Sequence, residues 1–327
     1  MISAVAFLSF LVPLSSADAA DAADKLVERL RTEDASERRR VQAELVRLGA
    51  EAVPAMLRAL ESATPRPEEE VARLVKRLGA PSWKERNEAT EALVRLGRNA
   101  LPILEGQIAA ADPEAAWRLR SAAAEIREKA GQDEQLEELR AAALCDVLGQ
   151  AGDGRAVAPL LKLLAADAPE KRPQLKLRAS QALGQLRGVM TGAQPEEAAD
   201  RVIQVLERMS APLEKAMLLK SLGRLGSPAA VRPLAALLAD RSEKNVHLKR
   251  SCMAALAAIG QARGVRAVVD ALSAEDVYVR QGAGATLEEL AGEGFGFDPR
   301  STAEENAAAV GKYRAWGAAK YGKAWQE

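Results

Sequence analysis

Histidine occurs once in this chain of 327 residues, cysteine twice, and aromatic residues make up 3%. Each scarcity closes off some chemistry. His247 has no second histidine, so a histidine-based zinc site cannot be assembled. A Ser-His-Asp triad would have to be built around His247 alone, and the chain contains no GxSxG elbow. Neither Cys145 nor Cys252 has a cysteine or histidine at ligand spacing. Between Asp18 and Val277 the aromatic residues are Trp83 and Trp117, so the middle of the chain offers no row of rings for stacking bases. Lys plus Arg equals Asp plus Glu at 46 each. There is no net field to hold a polyanion, which counts against a nucleic-acid partner, although a local patch remains open.

What is abundant is Ala, Leu, Glu and Arg, with 48% hydrophobic and 28% charged residues, the composition of a helix-rich protein poor in strands. The chain also copies itself. Residues 26–54 align with residues 74–102 at a shift of 48, with thirteen identities that include Leu45-Val46-Arg47-Leu48-Gly49 against Leu93-Val94-Arg95-Leu96-Gly97, and Pro54 against Pro102. The Leu-Gly step ends a helix because glycine takes the left-handed conformation. The proline then falls in the first turn of the next helix, where its missing N–H costs nothing. A second family of segments, 152–165, 226–239 and 260–273, aligns without gaps and carries Pro159 and Pro233 seven residues after the glycine. The interval of 74 spans two units, and residues 175–188 and 196–209 supply the helices of the degraded one between. In the helix over 212–225, Leu213 and Met217 mark one apolar stripe and Leu218, Leu222 and Leu225 another, which predicts cover from two sides.

These repeats resemble the HEAT superfamily. The first two units look like ordinary HEAT repeats, and the later ones like the shorter HEAT-like repeats of phycobilisome lyases. The supporting helices at 112–126 and 276–290 open on Asp112 and Asp276, natural N-caps. The resemblance implies an all-α, right-handed solenoid of helix pairs, an armadillo-like superhelix of about seven to eight units over residues 24–291: one at 24–62, one at 71–110, a helix or short pair at 112–130, then four or five pairs. Residues 62–70 and 187–197 break the regular spacing.

The two ends differ from the middle. Residues 1–17 read as a secretory signal peptide, with an apolar run from Ala4 to Leu14 that is too short to span a bilayer, followed by small residues. The expected location is therefore outside the cytoplasm, with no membrane span after cleavage, or the cytoplasm if the segment is no signal. At the other end, residues 292–327 hold six of the seven aromatics that follow Val277. A solenoid's last repeat needs a cover, so Phe295, Phe297, Tyr313 and Trp316 are expected to fold over it. Thr302 and Glu305 form the capping box of a final helix. Tyr321 and Trp325, beyond that lid, are the best candidates for an aromatic patch that meets a partner. The ending also resembles the C-terminal tail of exported bacterial HEAT-repeat proteins of the planctomycete type.

Cys145 aligns with Leu219 and Met253, and Cys252 with Leu144 and Leu218. Both are expected in the core, three units or about 30 Å apart at ~8–10 Å per helix layer, too far for a disulfide. His247 aligns with Leu139 and Leu213 and is expected to be half-buried at a helix start. The expected function is a non-catalytic protein–protein interaction scaffold, not an enzyme and a monomer, with no catalytic, cofactor-binding or metal residues, no cofactor, no nucleic acid and a protein as partner. The resemblance keeps a bilin lyase or isomerase activity as the alternative, with nucleic-acid binding behind it.

Overall fold

The computed structural model describes residues 16–63, 68–96, 100–108, 113–166 and 172–326. Residues 1–15 of the segment 1–17 read as a signal peptide, Gly97 and Asp112 lie outside the described residues. Those described form an all-α solenoid, with no strand among them. No described helix is long and apolar enough to cross a membrane.

The first copied unit comprises three helices, α1 (Ser16–Arg29), α2 (Ala35–Leu48) and α3 (Val53–Ala63). Helix α1 begins upstream of residue 24, because Ala19 and Ala23 extend the buried stripe of Leu26, Val27 and Leu30 by a further helical turn. The second copy repeats all three as α4 (Glu68–Leu78), α5 (Trp83–Leu96) and α6 (Leu101–Ile108). The copying extends to a hydrogen bond. Arg38 donates to the carbonyl of Thr32, and Arg86, 48 residues on, donates to that of Ala80 at 2.8 Å. Arg280 repeats the hook on Ala274 at 2.9 Å. In each case a guanidinium from the first turn of a helix satisfies a carbonyl of the preceding connection, which would otherwise need water.

The two copies are not neighbours in one core, and this corrects the expected order of the stack. Helix α7, Pro113–Ala151, runs unbroken for 39 residues where a helix or short pair ending near residue 130 was expected. Its first half, through Leu119 and Ile126, completes a core with Val71, Leu74, Leu78, Leu93 and Leu104 of the second copy. Its second half, through Ala141, Leu144 and Leu148, joins Leu45, Met56 and Leu60 of the first copy in a separate, larger core. Two three-helix units thus dock on the two halves of one long helix, and the main stack continues from the first copy. Each fully buried leucine at these seams contributes about 1.5–3 kcal/mol.

From α7 onward helix pairs follow one another: α8 (Val157–Ala165), α9 (Pro173–Gln185), α10 (Gln194–Arg208), α11 (Pro212–Leu225), α12 (Val231–Ala239), α13 (Val246–Ile259), α14 (Ala262–Asp270), α15 (Val277–Ala291) and α16 (Ala303–Tyr321). The chain closes its first helices on Gly49, Gly152, Gly226 and Gly260, all at positive φ as the Leu-Gly reading requires. Asp276 caps α15 by accepting from the backbone N–H groups of Tyr278 and Val279.

The first helices α7, α9, α11, α13 and α15 form one layer, each packed on the next. Their spacing is set by missing side chains. A Cβ on Gly149 would lie 2.9 Å from the Cα of Ala182, one on Gly184 3.3 Å from the carbonyl oxygen of Ser221, and one on Gly223 3.1 Å from the Cα of Ala255. Helix backbones approach this closely because only a hydrogen intervenes. The layer of second helices has no such seam.

The C-terminal residues behave as a cover, and α16 takes the second-helix position on α14. Tyr313 is 1% exposed, and its ring meets that of Phe295 edge-on at 4.7 Å. Phe295, Phe297 and Trp316 are half-buried against the main core. The capping box of Thr302 and Glu305 is formed. Backbone carbonyls tie the cover down: Arg280 Nε donates to Pro299 at 2.8 Å and Arg266 to Trp325 at 2.8 Å.

Candidate functional site

The first helices share a groove on their outer surface. Helix α2 packs on α7 and extends their layer, and residues of α2, α7, α9 and α11 line a single open cavity of about 710 Å³, so the surface across these four helices is concave. The lining is regular. Counting back from the closing glycines, the second residue is Arg47 in α2, Gln150 in α7 and Arg224 in α11, and the sixth is Ala43, Asp146 and Lys220. In α9, Gln181 and Gln185 hold the corresponding places relative to the seam glycine Gly184. Two rows of side chains therefore cross the groove, one from each helix, because a 3.6-residue period puts positions four apart on the same face.

The groove is electrically unlike the chain as a whole. Arg39, Arg47, Arg178, Lys220 and Arg224 line it against one carboxylate, Asp146. Asp146 is half-buried, and burial pushes its carboxyl above the usual carboxylate range, against the opposing pull of Arg178 at 3.7 Å and a hydrogen bond from Gln42. Gln42 also donates to the carbonyl of Ala143 at 3.2 Å, fixing α2 on α7. Gln42, Gln150, Gln181 and Gln185 add amide donors and acceptors. Met217 and Val46 supply apolar patches at the two ends.

Leu213 lies one turn before Met217, and it corrects a sequence expectation. The stripe it marks is not covered on both sides, since Leu213 is 70% exposed and Met217 half-buried. The reason is the concavity: this stripe points toward the open side of the layer, where no further helix packs. The same cause moves His247, which occupies the aligned position in α13. It is exposed rather than half-buried, and its backbone carbonyl accepts a 3.0 Å bond from Ser251 Oγ.

A second cavity of about 740 Å³ lies between the α12–α13 connection and α14. Five basic and four acidic residues line it, and Arg241 pairs with Glu275 at 3.8 Å, so its charge is nearly balanced.

Cys145 and Cys252 are both buried and unbridged. Burial raises both thiols, Cys252 to about 12, and Cys252 Sγ donates to the Leu234 carbonyl at 2.9 Å. Neither offers a thiolate at neutral pH. Among the described residues no group of three or more His, Cys, Asp or Glu could hold a metal ion. The expected aromatic patch is also corrected. Trp325 is 9% exposed, with its indole over Gly317, where a Cβ would collide with the ring. Tyr321 stacks on it at 5.9 Å and 13°. Both belong to the C-terminal cover, because Gly317 opens a slot in α16 that the indole fills. The exposed rings are instead Trp83 at 71%, in α5 of the second copied unit, and Trp117 at 65%, in the half of α7 that packs on it, together with Tyr278.

Residues 215–240, which are most of α11 and α12, match the family model of the PBS lyase HEAT-like repeat. This segment is a HEAT-like repeat. The HEAT-like α11–α12 pair contributes Met217, Lys220, Ser221 and Arg224 to the groove. No curated protein matches the chain. Among solved structures it is similar to human deoxyhypusine hydroxylase in complex with glycerol, at 22% identity over 86% of this chain and 100% of that one, with a TM-score of 0.35. That structure is of an enzyme, which stands against the expectation that the chain is not one. At such a TM-score the likeness assigns this chain no reaction.

Proposed function

We propose that this HEAT-like repeat solenoid binds a protein partner in the groove across α2, α7, α9 and α11. The observation that carries the reading is the pair of side-chain rows, in which four helices present equivalent positions to one concave surface. A stacked array creates such an extended surface from a small rotation per repeat. Arg47, Gln150, Gln185 and Arg224 of one row are exposed, as are Ala43 and Lys220 of the other, while Asp146 and Gln181 are half-buried, so most of the rows lie outside the core of the layer that carries them. Residues 1–17 as an export signal would place the partner outside the cytoplasm.

The test is a photo-crosslinking residue placed at Gln185, in the groove, or at Gln204, exposed on the outer helix α10. In native extract a distinct polypeptide should be captured from Gln185 and not from Gln204. Once purified, that polypeptide should bind the wild-type chain and fail to bind when Gln181→Trp and Gln185→Trp fill the groove. Equal capture at both positions, or binding that survives the filled groove, contradicts the reading.

A further inference from the structure

We infer that the groove selects an acidic, extended polypeptide segment of about seven to nine residues, an inference that rests on the protein-binding reading above. The charge argument is local. The chain balances 46 basic against 46 acidic residues, yet the groove gathers five cations and one carboxylate. That carboxylate, Asp146, is half-buried and already paired with Arg178, so the net field facing an incoming ligand is positive. Cations on neighbouring helices ~8–10 Å apart lie within about one Debye length of each other at physiological salt and act together. Charge complementarity of this kind gives specificity and raises the rate of encounter.

The length follows from where the two rows lose their charged and polar side chains. In α13 the residues equivalent to Lys220 and Arg224 are Ala254 and Ala258, so the charged rows run from α2 to α11 and end there. Three helix-to-helix steps span about 24–30 Å, which an extended chain covers in roughly seven to nine residues at ~3.3 Å each. The glutamines Gln150, Gln181 and Gln185 lie between the cations, where their amides can pair with the N–H and C=O groups of an extended backbone. Exposed Leu213, with Met217 behind it, offers a seat for one apolar side chain at the α11 end. A single-stranded nucleic acid fits less well, because no aromatic side chain lines the groove and its bases would have no stacking platform.

The experiment is fluorescence anisotropy with a labelled peptide of about nine residues, rich in Glu and Asp with one Leu. It is run beside its Gln/Asn counterpart and a single-stranded oligonucleotide of similar length. The proteins are the wild-type chain, the double variant Arg47→Glu/Arg224→Glu, and Arg232→Glu on exposed α12 as a charge-reversal control outside the groove. The acidic peptide should bind about tenfold or more tighter than its amide counterpart, and more weakly as salt rises. The double variant should lose about tenfold or more while keeping its circular dichroism, and Arg232→Glu should bind as wild type. Equal binding of the amide peptide overturns the acidic selection and leaves the protein-binding reading standing. Tighter binding of the oligonucleotide overturns it in favour of a nucleic acid. If no peptide binds while Gln185 still captures a polypeptide, the acidic inference alone has failed.

Discussion

Gly149→Ala and Gly311→Ala make the same chemical change inside two helices and should move stability in opposite directions. An alanine in a helix interior is favoured over glycine by up to about 1 kcal/mol. At Gly311, exposed in α16 with nothing within 4 Å of an added Cβ, that gain should appear almost whole, as about 0.5–1 kcal/mol of added stability. At Gly149 the added Cβ lies 2.9 Å from the Cα of Ala182 and 3.1 Å from its Cβ, so the α7 and α9 backbones must separate. Gln185, whose amide also lies there, can swing away, but a helix backbone cannot move alone. Overpacking of this kind costs about 1–3 kcal/mol, which exceeds the propensity gain and leaves a net loss of about 1 kcal/mol. Urea unfolding of both variants beside the wild type, followed by far-ultraviolet circular dichroism, measures the two signs. If Gly149→Ala stabilises as much as Gly311→Ala, the close seam between first helices is refuted, and with it the cause given for the layer's spacing.

The other perturbations address the cover, the thiols and the groove carboxylate. Truncation after Glu293 removes Tyr313 and Trp325 from the last repeat and should lower the melting temperature with fraying from the C-terminal end; an unchanged melting curve contradicts the cover. Cys145 and Cys252 should resist a thiol reagent in the folded protein and react on unfolding, and rapid modification of the native chain would show that they are not buried. Asp146 has a folded pKa raised by burial, so the folded state holds its proton more tightly than the unfolded chain, and the carboxyl's contribution to stability falls as pH rises through that window. Asp146→Asn should therefore raise the melting temperature at neutral pH and change it little below the ordinary carboxylate range; a lower melting temperature at neutral pH would mean that the pairing with Arg178 outweighs desolvation.

The parts of this architecture that were legible in the sequence are those written in local backbone chemistry. Leu48-Gly49 and Leu225-Gly226 announce a helix end because few residues other than glycine accept the left-handed conformation there. The 48-residue copy reproduces α1, α2 and α3 down to the arginine hook. The placement of the two copies was not legible, because Gly131 has the look of a closing glycine and the helix reads as ending near residue 130. Gly131 alone costs about 1 kcal/mol in a run of strong helix formers and does not break it. The groove was hidden for a different reason: Arg47, Gln150, Gln185 and Arg224 each look like ordinary solvated helix surface. A signal existed in three of them, since Arg47, Gln150 and Arg224 all stand two residues before a closing glycine, but only the stacking shows that this shared position faces one concave surface. Trp325 looked like a free ring because the slot that holds it is the missing side chain of Gly317.

The most direct test of the groove as the binding surface uses Met217, which lines it and is half-buried, while Met56, Met190, Met209 and Met253 are buried. Hydroxyl-radical footprinting with and without the captured partner compares oxidation of Met217 with that of the exposed rings Trp83 and Trp117. The groove account predicts that Met217 is protected on binding while both indoles oxidise as before. Protection of Trp83 and Trp117 with Met217 unchanged would place the partner on the second copied unit and the half of α7 packed on it, and contradict the account.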